Sequence, residues 1–457
     1  MNIKINDDKL PKIFFIMSLV IGIIFSILFP LYQVPDELVH INMMYSELGM
    51  NVDFYEETNH FGDTARIISN YDEKVKFSSY FDFDKKLVIS DNYSIPKITI
   101  IRHFPQAIGM IISGSLSLPI VVSITVGEIC AVLFYAVMGS LTLKRMPIKK
   151  EVMMMIMLLP ICIQQMASFS YDVVLLPICF YFIAYILYLK FSKDIISFKD
   201  LLIILVLLSI IAIIKIPYVL LGLLIFIVPL KKISIYNLII KNKKKIIVIG
   251  ALILVLLIPA LVVILNKISY GRILLAAIIY IKDSLWLILR TLWRYKFGYL
   301  KELTGDFGWF DTPTAIWYTI FIFLSILFIS VINYDKDDNV VSSSFTKKDI
   351  IYIYSIGIVM VMIITLSMLE WTLHINNLGS ISGISIKEFK DIFINIPLIE
   401  GIQGRYFIPI IPLFLIPIYN KKITIKLKKL NISIFLVIYY LVLVIYMMIV
   451  ILYRYWL

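Results

Sequence analysis

The chain has 457 residues, of which 60% are hydrophobic and 16% are charged, and its mean hydropathy is +0.92. A soluble domain is about half apolar and about a quarter charged, so this composition predicts a polytopic membrane protein. The net charge of +12 does not indicate nucleic-acid binding, because Lys and Arg stand in short clusters between apolar runs, as in cytoplasmic loops. Cys130, Cys162 and Cys179 lie in apolar segments without CxxC or Cys/His spacing, which excludes a disulfide framework and a zinc site.

Apolar stretches of about twenty residues recur along the chain, as spans require. The first has a basic start and no small-residue cleavage site, so we predict a retained signal anchor. The predicted fold is an all-α polytopic bundle of about eleven transmembrane helices in a single domain, 1–457. The predicted spans are 12–31, 120–143, 151–168, 172–190, 200–214, 216–230, 246–265, 314–332, 349–368, 405–420 and 431–453.

The Lys-rich connections predict the orientation. With a cytoplasmic N-terminus, the short Lys-rich loops all fall inside, as the positive-inside rule requires. The outside of a plasma membrane then receives 32–119, 266–313 and 369–404. Two further apolar stretches, 98–119 and 273–300, contain charges that would cost about 2.5–3.5 kcal/mol each at a span centre. We therefore predict that both are amphipathic or re-entrant helices at the outer interface.

The segment PLYQVPDELVH follows the first span and places Asp36, Glu37 and His40 within about one helical turn. The residues 36–48 show one apolar and one polar side, which predicts an amphipathic helix on the membrane surface with its polar edge toward an outer cavity. Pro35 and Gly49 suit its start and end. A structural alternative is that the carboxylates complement the helix dipole, worth about 0.3–1 kcal/mol, with His40 as a salt-bridge partner.

Three other segments bring polar groups to the same outer level. In IEGIQGRYFIPIIP, Arg405 stands at the predicted lipid boundary. There it either binds a phosphate of the substrate or extends to the lipid headgroups. Gly404 allows a ligand to approach the backbone. In ASFSYD, Ser170 and Asp172 suit either a helix start or a substrate contact. In IIKIPYVLLG, Lys215 is a phosphate ligand or a cation that extends to the interface. Each alternative stays open at this point.

A carboxylate pair beside several cations fits the chemistry of a departing phosphate. Cations stabilise the phosphate that leaves, and a carboxylate takes the proton of the attacking hydroxyl. The donor must be carried by a lipid, because nucleotide sugars are not supplied outside a bacterial cell.

Five motifs in order along the chain resemble a family of bacterial polytopic membrane proteins of formerly unknown function, related to the C-type (GT-C) glycosyltransferases. They are Pro35, Asp36, Glu37 and His40; Ser170, Tyr171 and Asp172; Lys215 and Tyr218; GDFGWFD at 305–311; and Gln403, Gly404, Arg405, Tyr406, Phe407 and Pro409. The resemblance implies a GT-C-like bundle, a polyprenyl-phosphate sugar donor, and inverting transfer to a cell-wall or surface glycan.

The resemblance also implies residue roles. Asp36 is then the general base with Glu37 as its partner, and Arg405 holds the lipid phosphate, with Lys215 as a second candidate for that role. The residues 50–97 then help to bind the glycan acceptor. Metal dependence is open, since the acidic groups allow a divalent cation without demanding one. The predicted catalytic residues are Asp36, Glu37 and His40, and the predicted substrate or phosphate ligands are Arg405, Gln403, Tyr406, Lys215, Tyr218, Arg102, His103, Tyr171 and Asp172.

Two other functions compete with sugar transfer. A polymerase or ligase of lipid-linked oligosaccharides also needs outer Arg residues, but its donor is a diphosphate that carries an oligosaccharide. A flippase or transporter predicts charged residues within spans and an internal repeat. The sequence has few such charges, Glu128 being the clearest, and shows no repeat, so transport ranks last.

Overall fold

The computed structural model describes residues 9–49, 73–75, 96–233, 269–331, 333–334, 345–376, 384–418, 424–425 and 429–457. Most of them are helical, because a backbone in lipid must satisfy its hydrogen bonds within its own segment. The all-α prediction is confirmed for these residues. The α-helices are α1 Leu10–Leu28, α2 Glu37–Leu48, α3 Phe104–Ser115, α4 Ile120–Arg145, α5 Lys150–Met157, α6 Pro160–Met166, α7 Asp172–Phe191, α8 Phe198–Ile214, α9 Ser269–Ile279, α10 Ile281–Thr304, α11 Ile316–Val331, α12 Lys347–Ser367, α13 Leu369–Ile375, α14 Glu388–Asn395, α15 Ile411–Leu415 and α16 Lys429–Tyr455.

Short 3-10 helices and strand pairs complete the described architecture. Strands β1 Asp306–Phe307 and β2 Thr312–Pro313 pair antiparallel, which makes the GDFGWFD segment a tight hairpin. Strands β3 Asn333–Tyr334 and β4 Thr424–Ile425 pair in parallel. The 3-10 helices are Ile98–Arg102, Ile216–Ile227, Leu230–Lys232 and Gly404–Ile410.

Five helical segments are long and apolar enough to cross a membrane, which confirms the membrane class. They correspond to the predicted spans at 12–31, 120–143, 172–190, 349–368 and 431–453. Helices α12 and α13 together form one of them. The observed segments are Leu10–Leu28, Ile120–Arg145, Asp172–Phe191, Lys347–Ile375 and Ile432–Tyr455.

Other predicted spans differ in secondary structure. The stretch 151–168 is not one helix but two, α5 and α6, and 152–168 is buried throughout. The break precedes Pro160, which has no N–H to continue the helical ladder. The stretch 216–230 is mainly a 3-10 helix, and 405–420 begins as one that contains Pro409. The predicted span at 246–265 lies outside the described residues.

The two stretches predicted as interfacial helices are helical and are not among the five span candidates. Helix α10 is amphipathic over 24 residues. Trp286 and Trp293 are exposed on one side, whereas Leu287 and Thr291 are buried on the other. Exposed indole rings beside buried aliphatic groups are typical of a helix at a membrane interface.

Helix α4 is the centre of the bundle, with α1, α3 and α7 packed around it. Helix α3 comes so close that a Cβ at Gly109 would lie 2.6 Å from the Cα of Gly127. Glycines permit this approach because they have no side chain between the two backbones. The contact fixes the start of α3, and with it His103, beside α2.

The described helices bring their ends together in two groups. Asp36, Lys215 and Arg405 meet at one end of the bundle. The helix ends that lie there are the C-terminal ends of α1 and α8 and the first residues of α7 and of the 3-10 helix at 404–410. The opposite end carries basic residues paired with acids, including Lys190–Asp349 at 3.0 Å. Polar groups are thus separated into two layers by apolar helices.

Candidate functional site

Asp36 stands in the turn between α1 and α2 in a left-handed conformation, with φ of 67°. Its carbonyl oxygen accepts the N–H of His40 at 2.9 Å, so its backbone takes part in the first turn of α2. Its carboxylate makes no capping hydrogen bond to that helix. The side chain is 45% exposed, which leaves an accessible carboxylate at the edge of the cluster.

Arg405 connects this carboxylate to the protein interior. Its Nη2 lies 3.0 Å from Oδ2 of Asp36, its Nη1 donates to Oε1 of Gln165 at 3.1 Å, and its Nε lies 3.8 Å from Oδ2 of Asp172. The side chain is only 4% exposed. A buried guanidinium between two carboxylates is compensated in charge, so it orients Asp36 firmly.

Lys215 is the second cation of the cluster and has different partners. Its Nζ lies 3.4 Å from the Tyr171 hydroxyl and 3.6 Å from the centre of the Tyr406 ring. Within the described ranges, no carboxylate lies within 4.0 Å of this ammonium. Burial lowers its pKa to about 8, against the opposing effect of Asp172. An ammonium on aromatic faces without a carboxylate partner can receive an anion.

Tyr218 holds the backbone of Tyr406, whose ring contacts Lys215. It is buried, and its hydroxyl donates to the carbonyl oxygen of Tyr406 at 2.7 Å. Tyr171 is the residue before α7, and burial raises the pKa of its phenol well above the ordinary value. Oγ of Ser170 accepts the N–H of Asp172, the first residue of α7, at 3.1 Å, whereas the N-cap position itself is Tyr171 and makes no side-chain capping hydrogen bond. Ser170 therefore contacts the helix start but is not its N-cap residue.

Glu37 is directed away from Asp36 and into the protein. Its carboxylate accepts the backbone N–H of Tyr32 at 2.8 Å and of Phe169 at 3.1 Å, and it lies beside Glu128 of α4. Burial raises the pKa of Glu37 to about 7. These contacts tie the turn before α2 to the turn before α7, which is a structural role.

The polar edge of α2 is buried, which corrects the expectation that it faces an open cavity. His40 and Glu47 pack inside, while Val39 is exposed. His103 lies between them, with ring nitrogens 3.1 Å from His40 and 3.0 Å from Glu47. The reason is that α3 approaches closely enough for His103 to satisfy these groups, so they do not require water.

Arg102 and Gln403 lie at the margins of the cluster. Nε and Nη2 of Arg102 donate to the carbonyl oxygen of Ile213 at the end of α8, and its Nη1 lies 3.9 Å from Glu47. Oε1 of Gln403 is buried and has no hydrogen-bond partner in the part of the chain that is described. Arg102 thus anchors α8, whereas Gln403 retains a free acceptor.

Gly404 packs against the protein itself, which corrects the expectation that it admits a ligand. A Cβ there would lie 2.5 Å from the carbonyl oxygen of Tyr299 and 3.0 Å from Cβ of Glu302. The N–H of Gly404 donates to the Glu302 carboxylate. The glycine therefore allows the segment before Arg405 to lie against α10.

The structure brings together Asp36, Tyr171, Asp172, Lys215, Tyr218, Arg405 and Tyr406. Sequence reasoning missed Gln165 and Glu302, and it placed Glu47 on the polar side of the helix at 36–48 without giving it a role in the site. Gln165 stands in a largely apolar run, a pattern that signals a buried polar contact. Searched across the described residues, the structure has no group of three or more His, Cys, Asp or Glu side chains arranged to hold a metal. The carboxylates of Asp36 and Asp172 both face Arg405.

Apolar helices long enough to span a bilayer, with an ionic cluster at one end, define an integral membrane protein of the helical class. The chain belongs to the family described as "Predicted membrane protein (DUF2142)", which matches residues 19–414. The matched range contains all the motif segments from Asp36 to Arg405. No curated protein and no solved structure matches the chain.

Proposed function

We propose that this protein is a membrane glycosyltransferase that moves a sugar from a polyprenyl-phosphate donor to a cell-wall or surface glycan, with inversion. The observation that carries the proposal is the pairing of an accessible Asp36 carboxylate with buried Arg405, beside the Lys215 ammonium, which has no carboxylate partner among the described residues. A base and a free cation at one place are what sugar transfer from a lipid phosphate requires.

The reaction would proceed by one displacement. The acceptor hydroxyl oxygen attacks the anomeric carbon, and the bond from that carbon to the phosphate oxygen breaks, with the electron pair leaving on the phosphate. The hydroxyl proton passes to the carboxylate of Asp36. Arg405 holds this carboxylate through its Nη2, at 3.0 Å, so the base is oriented before the substrate arrives.

The phosphate is assigned mainly to Lys215. Arg405 is already compensated by Asp36 and Asp172, so it contacts a phosphate only at the edge where Asp36 is exposed. Lys215 lies on the rings of Tyr406 and Tyr171, and its positive charge is available. Among the described residues of the cluster, Lys215 is the one cation without a carboxylate partner, which favours a donor with one phosphate over the diphosphate donor of an oligosaccharide polymerase or ligase.

The proposal includes the full architecture: about eleven spans in a GT-C-like bundle, a cytoplasmic N-terminus, and an extracytoplasmic site in the plasma membrane. Its support is that the segments assigned outside by the positive-inside rule converge on one end of the described helices. Basic residues such as Lys190 and Lys193 lie at the other end. The acceptor site is assigned to the residues 50–97, which lie outside the described residues except for 73–75, 96 and 97.

The test is sugar transfer by the purified protein in nanodiscs, with a panel of polyprenyl-phosphate monosaccharides. We expect transfer with at least one donor, and a loss of about 10²–10⁴-fold in Asp36→Asn, the usual contribution of a general base. Asp391→Asn, the same change at an exposed residue of α14, is the control and should keep full activity. EDTA in parallel reactions reports metal dependence.

The alternatives give different results in this assay. Full transfer by Asp36→Asn would remove this carboxylate from the reaction. Absence of transfer with every monophosphate donor, together with use of a diphosphate-linked oligosaccharide, would favour the polymerase or ligase. Movement of labelled lipid across liposomes only in the presence of the protein would favour a flippase.

A further inference from the structure

Three buried side chains form a continuous hydrogen-bonded chain beside the site. Nδ1 of His103 lies 3.0 Å from Oε2 of Glu47, and Nε2 of His103 lies 3.1 Å from Nδ1 of His40. His40 and Glu47 are about two turns apart on α2, so they share a face of that helix. His103 precedes α3 and bridges them, and it has no exposed surface.

The Glu47 carboxylate, at one end of these three hydrogen-bonded side chains, determines which ring nitrogens carry protons. An ionised Glu47 only accepts hydrogen bonds, and its Oε1 lies 3.9 Å from Nη1 of Arg102. His103 must therefore donate from Nδ1, which leaves its Nε2 as an acceptor when the ring is neutral. His40 then donates from Nδ1, and its own Nε2 carries a free lone pair.

His40 lies at the wall of the candidate site. Its ring packs edge-to-face on Tyr171, with 4.8 Å between ring centres, and the Tyr171 hydroxyl meets Lys215. The groups that act on the pKa of His40 besides burial are the neighbouring imidazole of His103 and the cations Arg405, Lys215 and Arg102. Burial first, and these groups second, hold the pKa of His40 well below its ordinary value. The ring is therefore neutral, and it can take a proton on Nε2 only as it gives up the proton on Nδ1.

We propose that Glu47 and His103 are positioning residues that hold His40 as the proton acceptor serving Asp36. This inference rests on the proposed function. After transfer, the proton on the Asp36 carboxyl passes to Nε2 of His40. The Nδ1 proton of His40 then passes to Nε2 of His103, and the Nδ1 proton of His103 passes to the Glu47 carboxylate. The extra proton is then on the Glu47 carboxyl, and Asp36 has returned to its ionised form. The chain is reset when the same shifts run in reverse and Nε2 of His40 gives the proton to water.

The test uses nitrogen NMR of the full chain in nanodiscs, labelled with ¹⁵N-histidine. The sequence has four histidines, His40, His60, His103 and His374, so His60→Gln and His374→Gln leave only the two of interest. We expect both remaining rings to carry the proton on Nδ1 and none on Nε2. An Nε2–H signal from either ring would overturn the inference, without reference to any activity.

The variant Glu47→Gln removes the acceptor-only group, because its amide both donates and accepts. We expect both rings to lose the exclusive Nδ1–H form, whereas the exposed Glu388→Gln should leave it unchanged. Unchanged spectra in Glu47→Gln would overturn the inference. If Glu47→Gln does not fold, Glu47→Asp is used instead and should retain the wild-type tautomers of both rings. Loss of these tautomers in Glu47→Asp would also overturn the inference.

Kinetics separate this inference from the proposed function. In Glu47→Gln we expect a lower kcat with an unchanged KM for the donor, because the variant affects proton removal and not phosphate binding. If the wild type is active and Glu47→Gln has the same kcat, the proton relay is overturned and the proposed sugar transfer is unaffected. The expected tautomers without transfer by the wild type would overturn the proposed function instead.

Discussion

Arg405 and Asp36 are joined by a 3.0 Å ion pair although 369 positions separate them in the chain. The same guanidinium lies 3.8 Å from Asp172, at the start of α7. Three segments that are remote in sequence are thus held together by one buried cation. Because Arg405 is buried and Asp36 is half exposed, the pair orients a carboxylate toward the space where a substrate would enter.

Arg405→Met should destabilise the protein by about 3–5 kcal/mol, because it leaves the buried Asp172 carboxylate without its partner. Asp172→Asn together with Arg405→Met should recover much of this loss, since replacing both charges of a buried pair is often near neutral. The measurement is the thermal unfolding midpoint of single and double variants.

Arg294→Met, the same change at an exposed residue of α10, is the control and should leave the midpoint nearly unchanged. Strict additivity of the two single variants would contradict an energetic coupling between Arg405 and Asp172.

Lys215→Met should raise the KM for the lipid-phosphate donor by about ten- to a hundredfold, because a charged hydrogen bond to phosphate is worth about 1.5–3 kcal/mol. The effect on kcat should be smaller, since the base is retained. Steady-state kinetics with varied donor concentration measure both constants. Lys199→Met at the opposite end of the bundle should leave both unchanged, and equal kinetics for the two variants would exclude Lys215 from the phosphate site.

The pH dependence should report the ionisation of Lys215. Burial lowers its pKa to about 8, with Asp172 and Asp36 acting in the opposite direction and Arg405 in the same one. The charged form therefore prevails below about pH 8, and kcat/KM should fall as the pH rises through that value. In Lys215→Arg the fall should move to higher pH, because a guanidinium stays protonated. An identical fall in that variant would assign it to another group.

Gly404→Ala should destabilise the protein by about 1–3 kcal/mol, the usual cost of inserting a methyl group into a filled space. Its Cβ would lie 2.5 Å from the carbonyl oxygen of Tyr299. Gly298 provides the matched control, since a Cβ there meets nothing within 4 Å. Gly298→Ala should stabilise α10 by about 0.5–1 kcal/mol. Unfolding midpoints in nanodiscs compare the two, and equal midpoints would contradict the close packing at Gly404.

Local signals in the sequence predicted much of the described fold. Five predicted spans match helices of sufficient length, because a run of about twenty apolar residues has few other structures in lipid. Helix α2 ends where predicted, with Gly49 in a left-handed conformation at φ of 79°. The break before Pro160 was missed, although a proline within an apolar run is a signal for it.

The candidate site was predicted as a set of residues but not as a set of contacts. Asp36, Lys215 and Arg405 were expected to share one level, and they lie in one cluster. The contacts of these segments were not predictable from the sequence. Glu37 turns inward because the turn before α7 lies beside it, and Gly404 packs on Tyr299 because α10 lies against the segment before Arg405.

The sequence by itself determined that this is a helical membrane protein and where its polar segments lie, because hydropathy and charge act on each segment separately. Only the tertiary structure decided that Arg405 is paired with Asp36 and Asp172, that Lys215 has no described carboxylate partner, and that His103 connects His40 to Glu47. The physical reason is that a buried polar group must find its partner in space, and spatial neighbours are set by helix packing across hundreds of residues.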